Sequence, residues 1–179
     1  MAESDDLDQI VAGCKTGDSG SFSRLMDLYG RRCYGYFYRM TGNKEISEDL
    51  LSELFVRLVQ RIGSFKGGSF EGWLFRVASN IFHDHLRGKH REKKLLAFRM
   101  ERLERLPKTN TPDVDRVDDL QVQLGKLDVD TRELIMQRFY SQASFKEIAA
   151  MREEPIGTTL SKLHRGLKKL RELMEPEQI

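Results

Sequence analysis

The 179-residue sequence contains few of the residues that mark several protein classes. Its two cysteines, Cys14 and Cys33, cannot form a disulfide framework and do not lie in a Cys-x-x-Cys pair. Four prolines and 9% aromatic residues, in a chain that is 32% charged, favour helices over a sandwich of short strands. Its apolar runs are short, and the acidic N-terminus lacks the basic start and apolar stretch of a secretory signal. We therefore expect no membrane insertion and a cytoplasmic location.

The sequence also lacks the common catalytic motifs. It has no phosphate-binding P-loop, no His-Glu-x-x-His and no Gly-x-Ser-x-Gly, and no strand-glycine-helix unit that would bind a dinucleotide. His83 and His85 are two residues apart, which on a helix directs their side chains about 200 degrees apart and makes them poor joint metal ligands. We expect no enzymatic activity, no metal and no cofactor.

Proline positions divide the chain. The first 106 residues contain none, and residues 107–112 read Pro-Lys-Thr-Asn-Thr-Pro, with two helix breakers and no apolar side chain. This segment is typical of an exposed linker. The sequence therefore predicts an all-α protein with a first domain over residues 1–94, a flexible linker over residues 95–112 and a second helical domain over residues 113–179.

Apolar periodicity predicts the helices of both domains. The clearest pattern in the first domain ends at Gly63, and a further helix is expected from Phe70, capped by Ser69, to about Lys89. The residues of the clearest pattern are Leu50, Leu51, Leu54, Phe55, Leu58, Val59 and Ile62. In the second domain, two predicted capping boxes each open a helix, at Asp130 with Glu133 and at Ser144 with Glu147. A helix before them is marked by Val114, Val117, Leu120, Leu124 and Leu127, and the last helix by Leu160, Leu163, Leu167 and Leu170.

The near-neutral formal charge of +2 conceals two basic segments. Residues 76–102 contain eight Lys or Arg against three Asp or Glu, and residues 156–171 contain five Lys or Arg and no acidic residue. One basic helix in each domain indicates two separate contacts with a polyanion such as nucleic acid. Two solvated helix faces are the alternative interpretation, since charge runs often only keep helices soluble.

Residues 144–165 have the layout of a helix-turn-helix. A capped helix with the small apolar pair Ile148 and Ala149 is followed by a break and by Pro155, which pre-sets the chain for a second helix. On that helix Thr158, Ser161, Lys162 and Arg165 recur at three- and four-residue spacing, so that one face can enter a major groove. Arg165 is a candidate for reading a guanine, whereas Lys168, Lys169 and Arg171 suit phosphate contacts. An ordinary helical hairpin is the alternative.

The ordered set of motifs resembles the extracytoplasmic-function group of bacterial sigma factors. The matching stretches are Glu48-Asp49-Leu50-Leu51-Ser52-Glu53-Leu54-Phe55, Phe70-x-x-Trp73-Leu74-x-Arg76-Val77-Ala78-x-Asn80, Asp84-x-x-Arg87, residues 127–138 and Pro155-Ile156-Gly157-Thr158 with Ser161-Lys162-Leu163-x-Arg165. The resemblance implies a protein that binds core RNA polymerase and directs it to promoter DNA. Most proteins of this family are held inactive by an anti-sigma factor, so such a partner is possible here too, and the sequence does not show whether one exists.

The resemblance implies a role for each matching surface. Asp49, Ser52 and Glu53 would bind the polymerase, although Ser52 replaces the family's usual glutamine. Arg76, Asn80, His83 and Arg87 would contact the minus-ten element as single-stranded DNA, with Asn80 near a pocket for a flipped base. Thr158, Ser161, Lys162 and Arg165 would read the minus-thirty-five element as duplex. Helical spacing assigns Trp73 to the core rather than to base stacking, and the loop over residues 65–68 is expected to complete the pocket wall.

Two other functions fit parts of the sequence. One is a stand-alone helix-turn-helix transcription regulator whose first domain senses a ligand or dimerises. The other is a helical adaptor that uses its basic faces only for protein contacts. A regulator that binds only duplex DNA would not need the helix that carries Trp73 and Asn80 and ends in basic residues.

Overall fold

The computed structural model describes residues 2–100 and 118–175, and within those ranges every regular element is helical. The all-α prediction is confirmed. The first domain contains α1 (Ala2–Lys15), α2 (Ser19–Thr41), α3 (Lys44–Arg61), a 3₁₀ turn (Ile62–Ser64) and α4 (Phe70–Met100). The second contains α5 (Asp119–Gly125), α6 (Val129–Tyr140), α7 (Phe145–Met151) and α8 (Ile156–Met174).

Two of the predicted boundaries lie close to the ends of the described ranges. Helix α4 extends to residue 100, beyond the predicted domain end at residue 94 and the predicted helix end near Lys89. Residues 101–112 of the predicted linker lie outside the described residues, as do Val114 and Val117 of the helix predicted before Leu127. The described part of that helix, α5, begins after the capping residue Asp118.

Local sequence determines where the helices of the first domain begin and end. The Asp18 carboxylate accepts a hydrogen bond from the Ser21 amide at 2.7 Å and starts α2. Gly42, with φ of 65°, ends α2 in the left-handed region that glycine adopts without strain, and Asn43 caps α3 one residue later. Ser69 accepts a hydrogen bond from the Gly72 amide at 3.0 Å, as the sequence predicts for the start of α4. These caps satisfy amides that would otherwise lack a partner.

The core of the first domain lies where α2, α3 and α4 meet. Phe37, Leu54 and Phe75 are completely buried, and the Tyr36 and Phe75 rings pack edge to face with centroids 5.7 Å apart. Leu50, Leu54 and Leu58 of the predicted stripe are buried, whereas Val59, a member of the same apolar stripe, is 59% exposed. Along α3, Val59 lies at the solvent side of that stripe because neighbouring helices cover only one face.

In the second domain, α8 packs on α6 through small residues. Gly166 is buried, and a methyl group there would lie 2.6 Å from the Thr131 methyl, so the two helices approach too closely for alanine. The buried face of α8 consists of Thr159, Leu163 and Gly166. Leu160 and Leu167, which the sequence assigns to the apolar face, are 42% and 41% exposed. The contact with α6 thus selects a stripe rotated from the leucine pattern.

The N-terminus of α6 corrects another prediction. Its cap is Asp128, whose carboxylate accepts from the Thr131 amide at 2.8 Å, and not Asp130 in a box with Glu133. Asp128 lies three residues before Thr131, which is the spacing that a side-chain cap requires. The predicted box of Ser144 with Glu147 is present and opens α7. Glu133 is left free to point into the protein, where it is 2% exposed.

Candidate nucleic-acid interface

The four residues predicted to contact single-stranded DNA lie along one face of α4. Arg76, Asn80, His83 and Arg87 are separated by four, three and four residues, which is the spacing of a continuous stripe on a helix. Arg76, Asn80 and Arg87 are exposed, and the His83 side chain is 43% exposed. The structure therefore brings these residues together on an accessible surface that combines cationic groups with an amide.

Carboxylates already engage the basic members of this stripe. Arg76 pairs with Glu153 of the second domain at 3.3 Å, and the His83 Nε2 lies 2.9 Å from the Glu133 Oε2. Arg87 pairs with Asp84 on its own helix. Hydrogen bonds from Arg87 and Arg57 lower the pKa of Asp84 below its usual value, which keeps this carboxylate charged. A DNA strand on this face must displace the two carboxylates of the second domain.

Glu133 is the centre of a polar cluster between the domains. Its Oε1 accepts from the Ser79 hydroxyl at 2.5 Å and from the Tyr36 hydroxyl at 3.2 Å, both in the first domain. Within the second domain, Gln137 donates to Oε1 at 3.3 Å and the Arg152 guanidinium lies 3.8 Å from Oε2. Burial raises the pKa of Tyr36 well above its usual value, so this phenol remains a donor to the carboxylate.

Further contacts join α2 to the second domain. Arg32 donates to the Tyr140 carbonyl at 3.0 and 2.6 Å, and Arg132 donates to the Met40 carbonyl at 3.1 Å. The Tyr140 ring also packs on Gly35, where an added methyl group would lie 2.7 Å from the ring. The two domains are therefore held together by a specific interface built around α2 and α6.

The helix-turn-helix has the predicted surface, but its cations differ in their surroundings. Thr158, Ser161 and Arg165 are exposed on the outer face of α8. Lys162 is 34% exposed, and its Nζ lies 2.7 Å from the Glu154 Oε2 and 3.5 Å from the Asp130 Oδ2. The hydrogen bond from Lys162 to Glu154 raises the pKa of the lysine. The structure therefore brings the four predicted residues to one side of α8, and within residues 118–175 it pairs Lys162 alone among them with carboxylates, those of the turn and of α6.

The predicted polymerase surface on α3 is exposed and includes apolar residues that the sequence prediction missed. Asp49, Ser52 and Glu53 are all exposed, and Glu53 pairs with Arg57 at 2.5 Å. Val56 and Val59 are 56% and 59% exposed and lie four and seven residues after Ser52, on the same side of the helix. Valine at helical spacing usually predicts a buried core position. Only the tertiary packing therefore distinguishes Val56 and Val59 from the buried leucines of α3.

The aromatic start of α4 borders a cavity between the domains. Trp73 is partly buried and packs on the Phe65 and Phe70 rings, with centroids 5.6 and 5.7 Å away. A cavity of about 360 Å³ lies beside it, lined by Gly67, Trp73 and Arg76 of the first domain and Met151 of the second. Trp73 thus packs against the core, as its spacing predicts, while its rim remains accessible.

Neither cysteine belongs to a candidate site. Cys14 and Cys33 are free and buried, and burial raises the pKa of the Cys33 thiol to about 12. In residues 2–100 and 118–175, no cluster of three His, Cys, Asp or Glu side chains is placed to hold a metal ion. No helix in those ranges is sufficiently long and apolar to cross a bilayer.

Two models of known protein families match this chain, one in each domain. Residues 25–92 match the family model of sigma-70 region 2, and residues 124–172 match that of sigma-70 region 4. These two regions define the class of protein: a two-domain sigma-70 type chain with a helix-turn-helix in its second domain.

Two curated relatives span nearly all of the chain. The ECF RNA polymerase sigma factor SigE of Mycolicibacterium smegmatis is 31% identical over 89% of this chain and 65% of its own length. SigW of Bacillus subtilis, also an ECF RNA polymerase sigma factor, is 30% identical over 88% of this chain and 90% of its own length.

The fold is similar to that of the sigma factor RpoE from Bartonella quintana, which was solved with the anti-sigma factor NepR. The TM-score is 0.70 and the identity 22%, and the match covers 88% of this chain and 98% of that chain. The chain belongs to the extracytoplasmic-function (ECF) family of RNA polymerase sigma factors.

Proposed function

We propose that this chain binds core RNA polymerase and directs it to promoters, reading the minus-ten element as single-stranded DNA with α4 and the minus-thirty-five element as duplex with α8. The observation that carries the proposal is the presence, in one chain, of the stripe from Arg76 to Arg87 and a helix-turn-helix whose outer face exposes Thr158, Ser161 and Arg165. A duplex reader alone would need only the second surface.

The chemistry of α4 suits a melted strand. Extruding a base costs a few kcal/mol of stacking and pairing, which hydrogen bonds and stacking on the protein must offset. The Asn80 amide can donate to and accept from a base edge, and Arg76 and Arg87 on either side can contact the backbone phosphates.

The proposed polymerase contact is on α3. Asp49 and Glu53 supply negative charge, Ser52 supplies a hydroxyl, and the exposed Val56 and Val59 add an apolar strip beside them. Apolar contact with a charged rim is the usual composition of a protein interface. The polymerase then performs the chemistry of RNA synthesis and this chain, located in the cytoplasm with it, supplies promoter specificity.

The arrangement of the domains suggests a further requirement. Glu133 is paired with His83, and Glu153 with Arg76, in this structure. The second domain must therefore move away from α4 before a strand binds there. RpoE of Bartonella quintana was solved with an anti-sigma factor. We infer that this chain is likewise controlled by such a partner, which would act by keeping the polymerase and DNA surfaces covered.

The test is run-off transcription with purified core polymerase on a promoter library. Start sites that appear only when this chain is added support the proposal, and no selection above core polymerase alone would contradict it. Asn80→Ala should impair strand opening, measured by permanganate reactivity, more than it impairs duplex binding. Arg165→Ala should do the reverse, and Lys44→Ala, at an exposed lysine with no proposed role, should change neither.

A further inference from the structure

Lys162 differs from other basic residues of α8, the second helix of the helix-turn-helix. Its ammonium group contacts two carboxylates, Glu154 at 2.7 Å and Asp130 at 3.5 Å, and its side chain is 34% exposed. Lys168, by contrast, is 71% exposed, and it forms an ion pair at 3.9 Å with Glu172 on the same helix. Arg165 is exposed and donates to the Ser161 carbonyl. The charge of Lys162 is therefore neutralised locally, unlike that of these neighbours.

The carboxylate that holds Lys162 is itself fixed. The Glu154 side chain is 13% exposed and accepts from the Arg152 Nε at 3.0 Å and from the Thr159 hydroxyl at 3.2 Å. Burial by itself would raise the pKa of Glu154, but the hydrogen bonds from Lys162 and Arg152 lower it below its usual value. Arg152 is 8% exposed and also pairs with Asp130. This network joins the turn to both α6 and α8 and leaves Glu154 little freedom to move.

The pairing of Lys162 with two carboxylates affects how this side chain can bind DNA. An ammonium group has three N–H donors, and the bonds to Glu154 and Asp130 leave at least one for another acceptor. Its net attraction for phosphate is small because the two carboxylates remain beside it. Its position, however, is set before DNA arrives, so less rotamer entropy is lost when it donates to a base.

We propose that Glu154 is a specificity-determining residue, which holds Lys162 as a fixed donor to a base edge of the minus-thirty-five element and withholds it from the phosphates. The acceptor is a guanine O6 or N7, or a thymine O4, in the major groove. The inference rests on the proposed function, because it requires α8 to read duplex DNA. It adds that Lys162 and Arg165, although neighbours on one face, contribute differently to recognition.

The first test compares Glu154→Gln with Glu172→Gln, which removes the same charge from an exposed position of α8. The full chain is titrated, over a range of salt concentrations, with a labelled duplex carrying the upstream element recovered from the run-off library and with a randomised duplex of equal length. Glu154→Gln should lower the preference for the recovered element by about tenfold. It should also steepen the salt dependence on the randomised duplex by about 0.9, the value for one additional phosphate contact. Glu172→Gln should leave the preference unchanged.

The second test uses Lys162→Met, which keeps the length of the side chain and leaves Glu154 with its bonds to Arg152 and Thr159. Binding to the recovered element should weaken by about tenfold, with little change on the randomised duplex or in the salt dependence. Equal weakening on both duplexes with a shallower salt dependence would show a phosphate contact and overturn the inference.

An unchanged preference in a folded Glu154→Gln variant would overturn the inference as well, and so would a wild-type chain without preference for the recovered element. Failure of the proposed function is seen separately, since the library would then yield no selected start site.

Discussion

Replacement of Glu133 by alanine tests whether the two domains pack together in solution as the structure shows. The Glu133 side chain is 3% exposed and accepts hydrogen bonds from Tyr36 and Ser79 of the first domain. Hydrogen bonds to a charged group contribute about 1.5–3 kcal/mol each, and removing one partner also leaves buried donors unsatisfied. Breaking a buried charged pair costs about 3–5 kcal/mol. We expect Glu133→Ala to lower the free energy of unfolding by about 3 kcal/mol.

The assay is thermal unfolding of the full chain, followed by circular dichroism. For a chain of this length, about 3 kcal/mol corresponds to a fall in Tm of about 6–12 °C. Glu48→Ala, at an exposed position beyond the first turn of α3, is the matched control and should change the free energy of unfolding by less than about 0.5 kcal/mol.

A double-mutant cycle with Tyr36→Phe isolates the contact between domains. The Tyr36 ring stays in its core position in this variant, and only the hydroxyl that lies 3.2 Å from Glu133 is removed. Residues in direct contact show coupling energies of about 0.5–3 kcal/mol. A coupling energy indistinguishable from zero would refute the reasoning, because it would mean that Tyr36 and Glu133 do not meet in solution.

Two other predictions concern α3 and the docking of α5. Leu54→Ala, which empties a fully buried site, should destabilise the chain by about 2–5 kcal/mol in chemical denaturation, whereas Val59→Ala should change stability by less than about 0.5 kcal/mol while weakening retention on immobilised core polymerase. A similar loss of stability in both variants would contradict the difference in burial between Leu54 and Val59. The hydrogen bond from Arg39 lowers the pKa of Asp118, so the stability this link provides is fully present above about pH 4 and is lost as the pH falls through the lowered value. The free energy of unfolding, measured by chemical denaturation at a series of pH values, should therefore lose this contribution on acidification, and Asp118→Asn should reduce the acid-induced loss; an identical pH profile in both proteins would count against the link.

Much of the fold follows from short-range information in the sequence. The capping box of Ser144 with Glu147 and the break before Pro155 both depend on residues within one or two helical turns, so the helix-turn-helix is readable without the structure. The same holds for the stripe on α4, because positions four and three residues apart share a face on any regular helix. The capping box predicted at Asp130 fails for a local reason, since Asp128 competes for the same amides and starts the helix two residues earlier.

The sequence by itself thus determined the helical class, the order of the motifs and the faces on which the candidate DNA contacts lie, because helix periodicity and capping act between near neighbours. Only the tertiary structure decided which apolar residues are covered, leaving Val59 and Leu160 exposed. It also decided which charges meet, bringing Glu133 to Tyr36, 97 positions away in the chain, and Lys162 to Asp130, 32 positions away. Such pairs depend on how helices from distant parts of the chain pack, and no local pattern records that packing.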